Sequence, residues 1–232
     1  APPGPAARDL VDRIAQLPGV ASLHLNVSPK RSSYLLDGDY VHLSGPRRIG
    51  FSLADQRFFL SPGTFFQTSR EGAELLVDAV LSTLPPRVDR FLDLYGGAGL
   101  FSRFVAERAR EAVVVESSPH AVADLRAYLK RQPQLPLRVI AARVETALGR
   151  LESLRPQVVL LDPPRRGCAD EVISAIARTG AERVVYVACS LAPLLRAGRR
   201  LISSGYRLER AAAVDMFPHT THLEIVATFA RS

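Results

Sequence analysis

The apolar positions of this chain follow two rhythms, and the change between them falls at Pro85-Pro86. Upstream, Leu10, Ile14 and Leu17 recur at helical spacing. Four short runs rich in apolar and β-branched residues follow, VASLHLNV, YVHLSG, RRIGFSL and RFFLSP, punctuated by Asp37-Gly38 and by Gly45 and Pro46. This pattern predicts a helix packed on a small antiparallel sheet. The segment EGAELLVDAVLSTL, with Leu75, Val77, Leu81 and Leu84 repeating, predicts a further helix leading into the second region. From there FLDLY (91–95), AVVVE (112–116), LRVIAA (137–142), QVVLLD (157–162) and RVVYVA (183–188) are nearly continuous apolar runs. Each is followed by a helical stretch, such as FSRFVAERA, SPHAVADLRAYLKR or DEVISAIARTG. Strands covered on both faces read this way in a parallel α/β sheet, because neither row of side chains meets water. The last two runs, GYRLERAAAVD and HLEIVATFA, have no helix between them, which predicts an antiparallel hairpin at the sheet edge. The expected organisation is a small α+β subdomain over residues 1–70 and an α/β domain over 71–232.

Composition adds limits. With 47% apolar and 23% charged residues the chain resembles an ordinary globular protein, and no segment approaches the roughly 18 uninterrupted apolar residues of a membrane helix. No membrane partner is expected. The start, APPGPAARDLVDRIAQL, has neither the basic opening nor the apolar core of a signal peptide, and the missing Met points to processing or a fragment. Cys168 and Cys189 lie far apart without a C-x-x-C pair, which argues against a disulfide framework or a cysteine-bound metal and favours a reducing cytoplasm. The net charge is +7, and Lys30 and Lys130 are the only lysines, so the positive charge is almost all guanidinium. Arginine suits RNA, through bidentate phosphate contacts and stacking, although a merely solvated basic surface fits the composition equally well.

Candidate chemistry gathers at predicted strand ends. The loop Asp93-Leu-Tyr-Gly-Gly-Ala-Gly99 follows the first strand of the alternating region and opens a helix. It does not spell G-x-G-x-x-G, but Glu116 ends the next strand, where a carboxylate can accept both ribose hydroxyls of an adenosyl group. At the end of the fourth strand, Leu161-Asp-Pro-Pro-Arg-Arg-Gly167 presents Asp162 on a backbone stiffened by two prolines. Arg165 and Arg166 beside it are candidates for phosphate contacts or for plain solvation. Cys189 ends the fifth strand ahead of a helix whose N-terminal dipole can lower a thiol pKa, whereas Cys168 has no such position and reads as structural. The segment Asp215-Met-Phe-Pro-His-Thr-Thr-His-Leu-Glu224 could hold a metal through His219 and His222, but with no HExxH or cysteine pair nearby we read them as hydrogen-bonding residues that shape the loop, and expect no metal.

The set FFQTS (65–69), DLYGGAGLF (93–101), VVVE (113–116), LDPPRRG (161–167), YVACS (186–190) and DMFPHTTHLE (215–224) resembles the 5-methyluridine RNA methyltransferases, from about residue 8 to the end. The resemblance implies a class I S-adenosylmethionine methyltransferase sheet, Rossmann-like, with a small N-terminal part of the RNA-binding region. It implies S-adenosylmethionine as cofactor and tRNA or rRNA as partner, and a monomer is expected. Cys189 then matches the family nucleophile and Glu224 its general base. Gln67 and Asp162 match residues contacting cofactor or target uracil, and Tyr95, Gly97, Gly99, Leu100 and Glu116 fall on the cofactor-binding stretches. The sequence departs from the family at Ser190 and Leu191, where Asn-Pro is usual, at Gly96, where cysteine is common, at Leu100, where asparagine is frequent, and at Arg143, where a polar or acidic residue is frequent. An N-terminal OB-like RNA-binding domain, frequent in the family, and an iron–sulfur cluster, carried by some of its members, are not spelled here. The competing readings are a 5-methylcytidine RNA methyltransferase and an RNA-binding module of the same fold with weak catalysis.

Overall fold

A computed structural model describes residues 5–28, 38–216, 218–220 and 223–232. Lys30, Asp37 of the expected turn, Phe217 and His222 lie outside the described residues.

The chain opens with helix α1, Pro5–Ala15, followed by strands β1, Leu23–Val27, and β2, Asp39–Ser44, and then by β3, Ile49–Leu53, and β4, Gln56–Leu60. Two differences from expectation appear. Helix α1 stops before Leu17, and both Leu10 and Leu17 are exposed. The four strands form two separate antiparallel hairpins, β1-β2 and β3-β4, rather than one sheet. The break falls at Gly45-Pro46, where Gly45 has φ of 75° and Pro46 has no N–H to extend a ladder.

Helix α2, Arg70–Leu81, is capped by Ser69, whose Oγ accepts from the Gly72 N–H at 3.0 Å. Its buried face is Ala73, Leu76, Val77 and Val80, while Leu75 faces solvent and Leu84 lies beyond the helix end. The 3.6-residue period selects that face over the one expected from Leu75 and Leu81.

Strands and helices then alternate as expected: β5 (Val88–Leu94), α3 (Leu100–Ala106), β6 (Ala109–Glu116), α4 (Pro119–Leu129), β7 (Leu137–Ala141), α5 (Val144–Leu154), β8 (Val158–Leu161), α6 (Asp170–Thr179), β9 (Arg183–Ala188) and α7 (Leu191–Ser203). Strands β10, Tyr206–Val214, and β11, Glu224–Arg231, close the chain. One seven-stranded sheet results, in the order β10-β11-β9-β8-β5-β6-β7, with β5 to β9 parallel and β11 antiparallel to both of its neighbours.

Alternate residues of each strand feed opposite faces of the sheet. Phe91, Val114, Leu160, Val185 and Val226 join a core with α2 and α3, and Leu92, Val113, Val159, Val184 and Ala227 join a second core with α5, α6 and α7. Leu53 and Phe58 of the β3-β4 hairpin are fully buried in the first of these cores. The hairpin therefore packs against α2 and α4, on the helical side of that core. No helix among the described residues is long and apolar enough to cross a membrane.

Candidate active site

The site is assembled from one rim of the sheet. Parallel strands β5, β6, β8 and β9 end on that rim, and β11, running the other way, begins there. Register fixes who meets whom. Leu94 of β5 is level with Leu161 of β8, and the Asp162 N–H donates to the Leu94 carbonyl at 3.3 Å. Ile225 is level with Ala188, so Glu224 and Cys189 are the next positions on two adjacent strands. Tyr95, Asp162, Cys189 and Glu224 thus sit side by side although they are far apart in the chain.

The loop after β5 is held in an unusual shape. Tyr95 has φ of 61°, uncommon for a residue with a Cβ, and its hydroxyl donates to Glu145 Oε1 on α5 at 3.0 Å. Burial raises the Tyr95 pKa, so that hydroxyl stays a donor. Gly96 permits close packing, since a Cβ there would come within 2.6 Å of Val114 Cγ1 and 3.0 Å of the Asp93 carboxyl. Gly97, at φ of 55°, faces open space where a Cβ would stand, and Gly99, at φ of 83°, opens α3. Leu100 is buried in the core of α2 and α3, so its side chain is committed to packing.

Two carboxylates hold this loop. Glu116 Oε2 accepts from the Gly97 N–H at 2.8 Å, while its Oε1 accepts from the Ser117 and Ser118 N–H groups at 2.7 and 2.6 Å. Asp93 lies beneath, fully buried, and accepts from the Ser102 hydroxyl. Burial pushes its pKa up to about 7, against the pull of Ser102.

At the other end of the rim the acidic groups crowd the thiol. Glu224 is buried and Cys189 half-buried. Burial raises the Glu224 carboxyl above the usual range. Asp162 is held well above it by burial and then by the Glu224 and Asp93 carboxyls. The lowered pKa expected for Cys189 is overturned: burial, then Glu224 and Asp162, push the thiol up, and the nearby Arg165 offsets only part of this. Cys168 is raised to about 11, mainly by burial, with Tyr186 beside it.

Of the remaining expected residues, Arg165 and Arg166 are exposed on the loop after β8, and the Arg166 carbonyl accepts from Arg196 at 3.4 Å. Gln67 is half-buried in the segment between β4 and α2. His219 is exposed, with φ of 69°.

Three residues that the motifs did not flag matter here. Glu145 receives the Tyr95 hydroxyl. Ser102, on α3, donates its hydroxyl to Asp93. Asp124, 2% exposed on α4, accepts from Arg48, from Thr64 and from the N–H and hydroxyl of Ser61, tying the segment before Gln67 to the sheet's own helix. The signal for Asp124 was a carboxylate on the apolar face formed by Ala121, Val122 and Leu125.

Comparisons with known proteins bear on this rim. The family model described as tRNA (uracil-5-)-methyltransferase matches residues 141–231, the part that carries Asp162, Cys189 and Glu224. An uncharacterized RNA methyltransferase of Gloeobacter violaceus is 37% identical over 98% of this chain and 49% of its own length. The 23S rRNA (uracil(1939)-C(5))-methyltransferase RlmD of Pseudomonas entomophila is 36% identical over 97% of this chain and 52% of its own. Among solved structures, the tRNA (uracil-54, C5)-methyltransferase of Pyrococcus abyssi, in complex with S-adenosyl-L-homocysteine, superposes with a TM-score of 0.72 at 27% identity, over 90% of this chain and 51% of that one. The chain spans about half the length of the curated relatives it matches. The resemblance to the 5-methyluridine RNA methyltransferases thus extends from a few motifs to nearly the whole chain, and the fold is the Rossmann-like α/β fold of S-adenosylmethionine-dependent methyltransferases.

Proposed function

We propose that this chain carries the catalytic machinery of an RNA (uracil-5-)-methyltransferase that uses S-adenosylmethionine, with Cys189 as nucleophile and Glu224 as base. The observation that carries the reading is the register of β9 and β11, which brings a buried carboxylate beside the half-buried thiol at the strand ends.

The cofactor side fits the residues present. Gly97 leaves open space where a Cβ would intrude, and Glu116 stands at the next strand end with its carboxylate already fixed by backbone N–H groups. Gly97, Gly99 and Glu116 would hold the nucleoside, with Tyr95 and Asp162 beside them; Leu100 could contribute only backbone. When bound, the cofactor supplies an electrophilic methyl group.

Carbon 5 of uracil is a weak nucleophile, and the residues here can change that. The Cys189 thiolate adds to carbon 6, and the ring electron pair moves onto carbon 5 and the neighbouring carbonyl, so that carbon 5 can take the methyl. Glu224 then removes the carbon 5 proton, the carbon 5–carbon 6 double bond re-forms, and the thiolate leaves. Both groups have raised pKa values, so each holds its proton more tightly than in water. A raised carboxylate is the stronger base, which suits Glu224 to taking a proton from carbon. A stacked base cannot reach the rim, so the target uridine is expected in a loop or flipped out. Arg165 and Arg166, exposed on the loop after β8, would then contact the flanking phosphates.

Tritium release from RNA labelled at uridine carbon 5 tests the reading, since the label departs only when that carbon is attacked. Wild-type protein releases tritium, Cys189→Ala does not, and Glu224→Gln accumulates a protein–RNA adduct stable to denaturation. Release by Cys189→Ala at the wild-type rate refutes the nucleophile. Cytidine methylation without release from uridine selects the 5-methylcytidine reading, and RNA binding without either reaction selects a binding module.

A further inference from the structure

Away from the rim, two cavities flank α4. The larger, about 760 Å³, lies between the β3-β4 hairpin and helices α3 and α4, and the smaller, about 570 Å³, runs along the other side of α4 to Ser117 and Ala141. Both are lined by Arg48 and Ala127, so they meet across the helix.

The chemistry of this groove is cationic. Arg126 and Lys130 line its smaller part, in which no carboxylate takes part. Arg57, Arg103 and Arg131 line its larger part. The acidic residues there are largely engaged: Asp124 is held by Arg48, Ser61 and Thr64, and Glu107 accepts from Gln56 at 2.7 Å, leaving Asp55 at the exposed hairpin turn. Among the described residues, no carboxylate forms an ion pair with Arg57, Arg126, Lys130 or Arg131. Arginines with no acidic partner inside the protein are available to an anion outside it.

The aromatic groups complete the pattern. The guanidinium groups of Arg57 and Arg131 lie 5.2 and 4.8 Å from the centroid of the Phe59 ring. Beneath them Arg103, 1% exposed, is stacked against Phe58 and Tyr128 at 4.2 and 4.0 Å, and its Nη2 has no hydrogen-bond partner in the protein. Arginines stacked on rings, with further cations along a helix, form the kind of surface on which a single nucleic-acid strand lies, phosphates on the guanidinium forks and sugars or bases against the rings.

Position connects this surface to the chemistry. The smaller cavity reaches Ser117, whose N–H is bonded to Glu116, which in turn holds Gly97. The groove therefore begins at the β6 end of the rim, beside the proposed nucleoside site, and leads away from it along α4.

We infer that the groove on both flanks of α4, with Arg57, Arg126, Lys130 and Arg131, is a second RNA contact surface that holds the phosphate backbone of a strand flanking the target nucleotide. This rests on the RNA reading above but not on turnover. All four side chains belong to exposed residues, so replacing them leaves the core untouched.

The test is a fluorescein-labelled, uridine-containing stem-loop RNA with single-stranded flanks, titrated with wild-type protein and with R126Q/K130Q/R131Q and R57Q, at several salt concentrations. The expected result for the triple variant is at least about tenfold weaker binding and a shallower salt dependence, by about two to three on a log–log slope, because fewer phosphates are neutralised. R57Q shows a smaller change in the same direction, and methylation assays show the loss in KM for RNA rather than in kcat. S-adenosyl-homocysteine binding, measured by calorimetry, stays at its wild-type level. RNA affinity and salt slope equal to wild type overturn the inference. So does a loss confined to S-adenosyl-homocysteine binding, which would assign the groove to the cofactor. A wild-type protein that binds the stem-loop through these residues yet releases no tritium keeps the groove and removes the proposed reaction.

Discussion

Cys189 is surrounded by groups that oppose its ionisation, and that sets how its reactivity varies with pH. The thiolate form grows as pH rises through a pKa held above the ordinary thiol value by burial, Glu224 and Asp162. Replacing Asp162 by Asn removes one negative neighbour, so the thiolate is favoured and the midpoint moves to lower pH. The expected outcome is that the pH profile of iodoacetamide alkylation at Cys189 shifts down in Asp162→Asn. An unchanged or upward-shifted midpoint would mean that Asp162 does not act on the thiol. The candidate nucleophile was legible in the sequence, because YVACS places a cysteine directly after an apolar run while Cys168 follows a glycine in a loop. The direction of its pKa shift was not. A helix N-terminus is local and visible in the order of residues, whereas the burial that raises the thiol, and the two carboxylates that add to it from positions 162 and 224, arise only from packing.

At the scale of elements, caps and faces decide where helices begin and what they bury. Ser69 is the cap of α2 and stands two residues after Gln67, so it also fixes where the FFQTS segment turns into the helix. Losing the Ser69 hydroxyl orphans the Gly72 N–H, and Ser69→Ala is expected to lower stability by about 1 kcal/mol in urea unfolding. No change would indicate that water caps the helix equally well. The parallel strands and their order along the chain followed from runs of apolar residues that need no partner to be recognised. The N-terminal strands were also found, but their division into two hairpins was not. Period and β-propensity say that a segment is extended; they do not say which neighbour it pairs with, and Gly45-Pro46 acts by blocking one pairing in space. The exposed Leu75 in α2 shows the same limit, since a leucine can satisfy a helical pattern yet point away from the core.

Across the whole molecule, the β3-β4 hairpin is joined to the sheet by core packing through Leu53 and Phe58 and by the buried Asp124 carboxylate. Asp124→Ala strips four donors of their shared acceptor and removes the ion-pair partner of the part-exposed Arg48, and is expected to cost about 1–3 kcal/mol, the scale for orphaned buried donors. The measurement is the denaturation midpoint; a loss below about 1 kcal/mol would show that the clamp is dispensable. The sequence alone determined the sequence of elements and the chemical groups at each strand end, because apolar periodicity and turn residues act over a few positions and a parallel sheet must bury its strands on both faces. Only the tertiary structure decided that Glu224 lies beside Cys189, that Asp162 stands close enough to raise the thiol, and that the basic face of α4 continues into the hairpin as one groove. Strand register and layer packing arise from contacts between segments tens of residues apart, and no local pattern encodes which of the possible pairings buries the most surface.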